Sequence, residues 1–146
     1  MIAPVTYLDI LAAPELLAEY AAECSIPEIG TVNPQAETYA ALEKAGVVQM
    51  FGAFYVEHMV GFASVLVTVL PHYGKKVATL ESLFVSQANR SGGLGAHLIS
   101  AVEEFARQAG CVAILYSAPT GGSLEKLLTM HKKYRKTNTV FCRSFD

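Results

Sequence analysis

Hydrophobic and polar positions change their period several times along the chain, and each change predicts an element. The opening run "APVTYL" (3–8) favours a short strand. Apolar residues then recur at helical spacing and predict a helix over 13–24. After the loop "SIPEIGTVNP", Pro34 opens a second helix, "QAETYAALEKAG", which Gly46 closes.

The middle of the chain changes to β-rich runs. "VVQMFGAFYV" and "MVGFASVLVTVL" are joined by "EH", which predicts a tight hairpin over 47–70. The turn "PHYGKK" leads to a third strand, "VATLESLFV", at 77–85. These three strands are expected to form a meander.

The last part of the chain alternates between helix and strand. One apolar face predicts a helix from Gly93 to Ala109, ended by Gly110. "CVAILYSA" then predicts a strand, "SLEKLLTMHKKY" a helix at 123–134, and the alternating "TNTVFCRSF" a final strand at 137–145. This order predicts one α/β domain over 1–146 with a sheet of mixed sense.

Composition and charge exclude several classes of protein. The chain is 52% hydrophobic and 16% charged with a net charge of -2, so neither disorder nor a nucleic-acid surface is expected. Its scattered cysteines and histidines predict neither a disulfide framework nor a metal site. No basic leader precedes an apolar run, and "MVGFASVLVTVLP" is too short to span a bilayer. We therefore expect a cytoplasmic protein without membrane contact.

Three glycines lie between a predicted strand and a predicted helix, in "NRSGGLGAH". Unpaired N–H groups at a helix start, together with the helix dipole, favour an anion, and absent side chains let a pyrophosphate approach the backbone. The spacing fits neither GxxxxGK[ST] nor GxGxxG, so two common nucleotide motifs are excluded.

The pattern that remains, R-x-x-G-x-G/A at 90–96, resembles the GNAT family of acetyl-CoA-dependent N-acyltransferases, with "ESLFV" before it and an amphipathic helix after it. This resemblance implies a mixed, mostly antiparallel central sheet with helices on both faces. It also implies a parallel strand pair, 77–85 and 111–118, that splays apart to bind acetyl-CoA. Main-chain groups of Leu83, Phe84 and Val85 would pair with pantetheine. The pyrophosphate would be held by the turn, namely Arg90, Ser91, Gly92, Gly93, Leu94, Gly95 and Ala96.

Glu81 is the candidate general base, because acyl transfer requires that a protonated amine lose its proton. It is a carboxylate inside an apolar run, where burial is expected to raise its pKa. Some GNAT branches hold a glutamate at this place in a similar E-x-F/L-F-V stretch. Alternatively, Glu81 forms an ion pair with a lysine such as Lys75, Lys76 or Lys126. In that case Thr79 or an ordered water serves as the base.

The general acid of the family is usually a tyrosine near the end of the helix matching 123–134. The usual Y-x-x-x-G-F ending is absent here, which leaves Tyr134 and His131 as candidates. The loop at 25–34 is expected to border the acceptor site. His72 and Tyr73 in "LPHYG" are candidate acceptor contacts, although a plain proline turn explains that segment equally well.

The resemblance therefore predicts an N-acetyltransferase that moves an acetyl group from acetyl-CoA to a primary amine of a small molecule or protein. No metal is expected, and a homodimer is possible, since small GNAT proteins often pair through their final strands. The alternative is an inactive member that serves as a CoA-binding, interaction or structural module. The missing tyrosine ending favours that alternative.

Overall fold

The computed structural model describes residues 1–145, and the strands supply the framework of the site. The elements in chain order are β1 (Ile2–Val5), α1 (Tyr7–Leu11), α2 (Pro14–Cys24), α3 (Ala36–Lys44), β2 (Val48–Tyr55), β3 (His58–Leu70), β4 (Lys75–Val85), a 3-10 segment (Gln87–Gly92), α4 (Leu94–Gln108), β5 (Ala113–Tyr116) and α5 (Ser123–Met130).

The strands form one five-stranded sheet in the order β1-β2-β3-β4-β5. The first three neighbouring pairs are antiparallel, and β4 and β5 are parallel. The α4 crossover makes the last connection, as a parallel pair requires. The predicted mixed α/β sheet with its β2–β3–β4 meander is therefore confirmed.

Each face of the sheet is covered by a different set of helices, because strand side chains alternate between faces. On one face, Leu98 and Val102 of α4 pack against Val65 and Leu80. On the other face, the three N-terminal helices cover a second cluster that contains Ile10, Leu16, Met50, Phe62 and Phe84. The predicted helices on both faces are present, and the splayed edge of β4 is left between them.

The N-terminal segment differs from the prediction, since strand β1 ends at Val5 and a short helix follows. Thr6 caps this helix, accepting from the backbone N–H of Asp9 while the Asp9 carboxylate accepts from the N–H of Thr6. This reciprocal capping stabilises a helix too short to show an apolar period.

The predicted final strand at 137–145 is wrong. None of the described residues after Met130 lies in a strand, and Val140, Phe141 and Phe145 are exposed. Alternation makes a strand only where a neighbouring edge takes up the hydrogen bonds, and this segment pairs with no described strand. The predicted strand at 111–118 and helix at 123–134 also shorten, to Ala113–Tyr116 and Ser123–Met130.

Candidate active site

An irregularity in β4 brings Glu81 to the centre of the candidate site. Ser64 pairs with Ser82 and Val65 pairs with Leu80, so Glu81 is one extra residue in β4. Such a bulge bends the strand locally and re-aims side chains. Glu81 is exposed, so the burial predicted for it is wrong: its side chain lines an open cavity.

Hydroxyl groups hold both oxygens of the Glu81 carboxylate. The Tyr39 hydroxyl, from α3, donates to Oε1 at 2.5 Å, and the Ser64 hydroxyl donates to Oε2. Ser82 Oγ lies 2.6 Å from Ser64 Oγ, so the buried Ser64 has a partner on each side. None of the described lysines forms an ion pair with Glu81. These contacts fix the direction of the carboxylate without neutralising its charge.

Two tyrosines beside Glu81 stay protonated. Burial, with smaller contributions from the charges of Cys24 and Glu81, raises the pKa of Tyr20 to about 12. Burial and the hydrogen bond to Glu81 also raise the pKa of Tyr39. Both phenols are therefore protonated near neutral pH, and neither adds a second negative charge to the site.

A cavity of about 250 Å³ lies above Glu81, between the sheet and the three N-terminal helices. Val32, Asn33 and Pro34, from the loop at 25–34, belong to its lining. The rest of the lining comes from the helices and the sheet, namely Tyr7, Ile10, Leu11, Leu17, Tyr20, Tyr39, Met50, Phe62, Ser64, Glu81 and Ser82.

Beyond Glu81, the edge of β4 that faces β5 is open. The β4–β5 pairing ends at Leu80 and Tyr116, so 81–85 have no partner on that side among the described strands. Ser86 donates its N–H to the carbonyl of Val60 at 2.8 Å, so by alternation Leu83 and Val85 face the open edge. Phe84 instead directs its backbone groups toward β3. The predicted splay is therefore present, with two of its three predicted residues facing the gap.

The glycine turn joins this open edge to α4. Gly93 has φ +75°, a conformation that glycine adopts without strain. Helix α4 begins at Leu94, and no side chain caps its first N–H groups. A Cβ added at Gly93 or Gly95 meets no atom within 4 Å, so the protein leaves open space over the turn. This accessible, uncapped helix start fits a pyrophosphate group.

Arg90 lies beside the turn but already has partners. Its Nε donates to the Val85 carbonyl at 2.8 Å, and its guanidinium forms a 2.6 Å ion pair with Glu23 of α2. The hydrogen bond to Glu23 is the main reason that the pKa of Arg90 lies above its ordinary value. Glu23 would therefore compete with a phosphate for this cation.

Tyr134 has a different environment from Glu81, on the α4 side of the sheet. Its hydroxyl donates to Glu103, which also accepts from Tyr116 at 2.7 Å and from Lys133 at 3.3 Å. Burial and the bond to Glu103 raise the pKa of Tyr134, which weakens it as a proton donor. His131 is exposed, with its ring centroid 6.3 Å from that of Tyr134.

His72 and Tyr73 are exposed in the β3–β4 turn, and neither belongs to the described lining of the cavity. Both precede Lys75, which lies six positions before Glu81 on β4, a span of about 20 Å at ~3.3 Å per residue. The structure therefore does not bring these two residues together with the carboxylate.

The sequence reasoning missed Tyr39, Ser64 and Glu23. Tyr39 and Ser64 come from α3 and β3, respectively 42 and 17 residues before Glu81. The available signals were a serine within the apolar run of β3 and a tyrosine on a helix beside the acceptor loop. Neither identifies a contact without knowledge of the strand register.

The site thus combines an open strand edge, an uncapped helix start and a carboxylate that lines a cavity. The model of the Acetyltransferase (GNAT) family matches residues 14–126, and the chain belongs to that family. No curated protein matches the chain.

Solved structures share this fold at low sequence identity. An aminoglycoside acetyltransferase from an uncultured soil metagenomic sample, in complex with trehalose, is 18% identical with a TM-score of 0.78, covering 100% of this chain and 96% of that one. The ribosomal-protein-alanine N-acetyltransferase of Brucella melitensis biovar Abortus 2308 is 19% identical with a TM-score of 0.73, covering 99% of each chain. An acetyltransferase of Trypanosoma brucei is 21% identical with a TM-score of 0.69, again over 99% of each chain.

Within 1–145, no three histidine, cysteine or acidic residues are grouped as metal ligands would be. None of the helices described there combines the length and apolar character needed to cross a membrane.

Proposed function

We propose that this protein transfers the acetyl group of acetyl-CoA to a primary amine of a small molecule or protein. The proposal rests on one observation about strand β4. Glu81 of β4 lines the cavity of about 250 Å³, called the acceptor cavity below. Four residues further on, β4 ends at an open edge beside an uncapped helix. An amine bound over Glu81 would therefore lie close to a cofactor bound along that edge.

The cofactor would be held mainly by backbone groups. Leu83 and the N–H of Val85 would pair with pantetheine at the open edge, since the Val85 carbonyl already accepts from Arg90. The N–H groups from Gly93 to Ala96 would bind the pyrophosphate. When bound, acetyl-CoA would supply the acetyl group as a reactive thioester. Binding through main-chain groups requires few particular side chains, which explains why glycines are the clearest signal in the sequence.

Glu81 would act on the amine. A primary amine has a pKa of about 10.4 and arrives as an ammonium ion, which a carboxylate attracts and can deprotonate. The hydroxyls of Tyr39 and Ser64 keep the two carboxylate oxygens in place for this role. Tyr134 would serve as the general acid that protonates the leaving thiolate, and its phenol would first have to leave Glu103.

The test is release of free thiol from acetyl-CoA over a panel of alkylamines, arylalkylamines, aminoglycosides and peptide N-termini. Amine-dependent release, reduced in Glu81→Gln, is the expected result. One contact favours the alternative, a CoA-binding module: the Tyr134 hydroxyl donates to Glu103 and is not free to act as the general acid. Calorimetric binding of acetyl-CoA without thiol release for any acceptor would replace the enzyme proposal by that alternative. The cytoplasmic location and the homodimer remain predictions.

A further inference from the structure

The wall of the acceptor cavity is apolar over most of its extent. It is formed by side chains from α1, α2, the loop before α3 and the neighbouring strands: Ile10, Leu11, Leu17, Val32, Met50 and Phe62. Three of these belong to the buried core, with exposures of 7% for Ile10, 4% for Met50 and 3% for Phe62. This half of the wall is therefore fixed by core packing, whereas Leu11, Leu17 and Val32 are half-buried.

Glu81 is the one charged residue among the described lining residues of the cavity. Glu43 and Asp9 are two of the carboxylates that lie close in sequence to its lining residues, and both are engaged elsewhere. Glu43 accepts the backbone N–H of Tyr7 at 2.6 Å, and Asp9 accepts the N–H of Thr6 at 2.8 Å as part of the α1 cap. The cavity thus offers a single anionic partner.

The geometry around Glu81 leaves room for one cation. An ionised carboxylate has about four acceptor positions. Tyr39 and Ser64 occupy one on each oxygen, so about two remain for the N–H groups of an ammonium ion. The protonated phenols of Tyr20 and Tyr39 contribute hydroxyl dipoles but no charge.

A second ammonium group held inside the cavity would lie against the apolar wall, where none of the described lining residues carries a carboxylate. Removing a charge from water without a partner is strongly unfavourable. The volume also favours a small ligand, because about 250 Å³ lies below the ~300–1,000 Å³ typical of pockets for drug-sized molecules.

We propose that the acceptor is a primary amine with a single positive charge on a small apolar body, an alkylamine or arylalkylamine. Its ammonium group binds Glu81 and its hydrocarbon part packs on Ile10, Met50 and Phe62. A polycationic acceptor is disfavoured. This inference rests on the proposed function, since it names the substrate class of the same site.

The test compares matched pairs of amines by kcat/KM for thiol release. Hexylamine and 1,6-diaminohexane have the same length and differ in one terminal ammonium, and phenethylamine and kanamycin extend the comparison. We expect hexylamine to exceed 1,6-diaminohexane by at least about tenfold, because the second charge has no partner. An equal or higher value for the diamine, or for kanamycin, would overturn the proposal.

Helix α1 supplies a matched pair of variants. Leu11 lines the cavity, whereas Leu8 is 60% exposed and is not among the described lining residues. Leu11→Glu adds a second carboxylate and should narrow or reverse the preference for hexylamine, while Leu8→Glu should leave it unchanged. An unchanged preference in folded Leu11→Glu contradicts the proposed cause, and Val32→Asp tests the same point if Leu11→Glu does not fold.

Amine-binding measurements distinguish a wrong assignment of the acceptor from a wrong assignment of the enzyme activity. If no amine supports thiol release, the enzyme proposal fails, and calorimetry with hexylamine and 1,6-diaminohexane still tests the cavity. Hexylamine binding that is stronger than diamine binding and is lost in Glu81→Gln supports the assigned ligand class. Absent or equal binding of the two amines rejects it. Thiol release with peptides or kanamycin alone rejects the assigned ligand class but supports the proposed acetyltransferase activity.

Discussion

Glu81→Gln separates a chemical role of this residue from a structural one. Glutamine keeps the length and shape of the side chain but cannot take a proton from an amine. If Glu81 is the general base, turnover should fall by roughly two to four orders of magnitude, the usual contribution of a positioned base. That range corresponds to about 3–5 kcal/mol in the barrier.

The structural cost should be much smaller. In the wild-type protein both oxygens of Glu81 accept from hydroxyls, so an amide keeps one acceptor and presents its NH₂ group to the other hydroxyl. The Ser64 oxygen can accept from this NH₂ group, because its own proton can then be donated to Ser82 Oγ, which lies 2.6 Å away. We therefore expect the free energy of unfolding to drop by only about 1 kcal/mol, the typical net value of one hydrogen bond.

The assay measures turnover per folded molecule, thermal unfolding and acetyl-CoA affinity on one preparation. Acetyl-CoA affinity should hold, because backbone groups rather than Glu81 are proposed to bind it. Glu57→Gln, in the exposed β2–β3 turn, is the control and should behave as wild type. A turnover for Glu81→Gln within about threefold of wild type, less than ~1 kcal/mol in the barrier, would refute the role as base.

Three further predictions concern the turn, its arginine and the carboxylate on α4. Gly93→Asp should abolish acetyl-CoA binding, since its carboxylate would face the pyrophosphate. Gly74→Asp is the control with a similar φ of +63° and equal open space, and equal binding losses in the two variants would contradict the anion site. Glu23→Gln should raise acetyl-CoA affinity by about two- to fivefold by releasing Arg90, and Arg90→Ala should lower it by about five- to a hundredfold, as calorimetry would show. Unchanged affinity in both variants excludes Arg90 from phosphate binding. Burial acts to raise the pKa of Glu103, but hydrogen bonds from three donors outweigh it and hold that pKa below its ordinary 4.5 in the folded protein. The ionised Glu103 therefore stabilises the fold above pH 4.5, and this contribution is lost as the pH falls through the lower pKa of the folded state. Denaturant unfolding between about pH 5 and 3 should therefore depend less on pH in Glu103→Gln, and an unchanged slope would contradict the linkage.

Much of the fold could be predicted because its information is local. Apolar periods marked α2, α4 and the three meander strands, and Pro34 and Gly46 marked α3, all within a few residues of their observed bounds. The failures have physical causes. Helix α1 is five residues long and is stabilised by the Thr6–Asp9 capping pair rather than by periodicity. The 137–145 alternation had no described partner edge, so the pattern alone could not make a strand.

The candidate site was predictable only where it lies on one segment. Glu81, the open end of β4 and the glycine turn lie within sixteen consecutive residues, 81–96, so a single motif indicates all three. The partners of Glu81 depend on tertiary packing. Tyr39 reaches it because α3 packs over the sheet, and Ser64 reaches it because the β4 bulge sets the register.

Helix α2 takes part in both halves of the proposed site. Leu17 and Tyr20 line the acceptor cavity. Glu19 accepts the N–H of Gln87 at 2.9 Å, and Glu23, one turn further on, holds Arg90 at 2.6 Å. A short helix moves as a unit, so an acceptor that shifts α2 also shifts its contacts with the 3-10 segment before the glycine turn. Any such effect on cofactor binding must be reciprocal, because coupling between two equilibrium binding sites has the same magnitude in both directions. Glu19 and Glu23 therefore connect the 3-10 segment before the glycine turn to α2, the helix that forms part of the cavity wall.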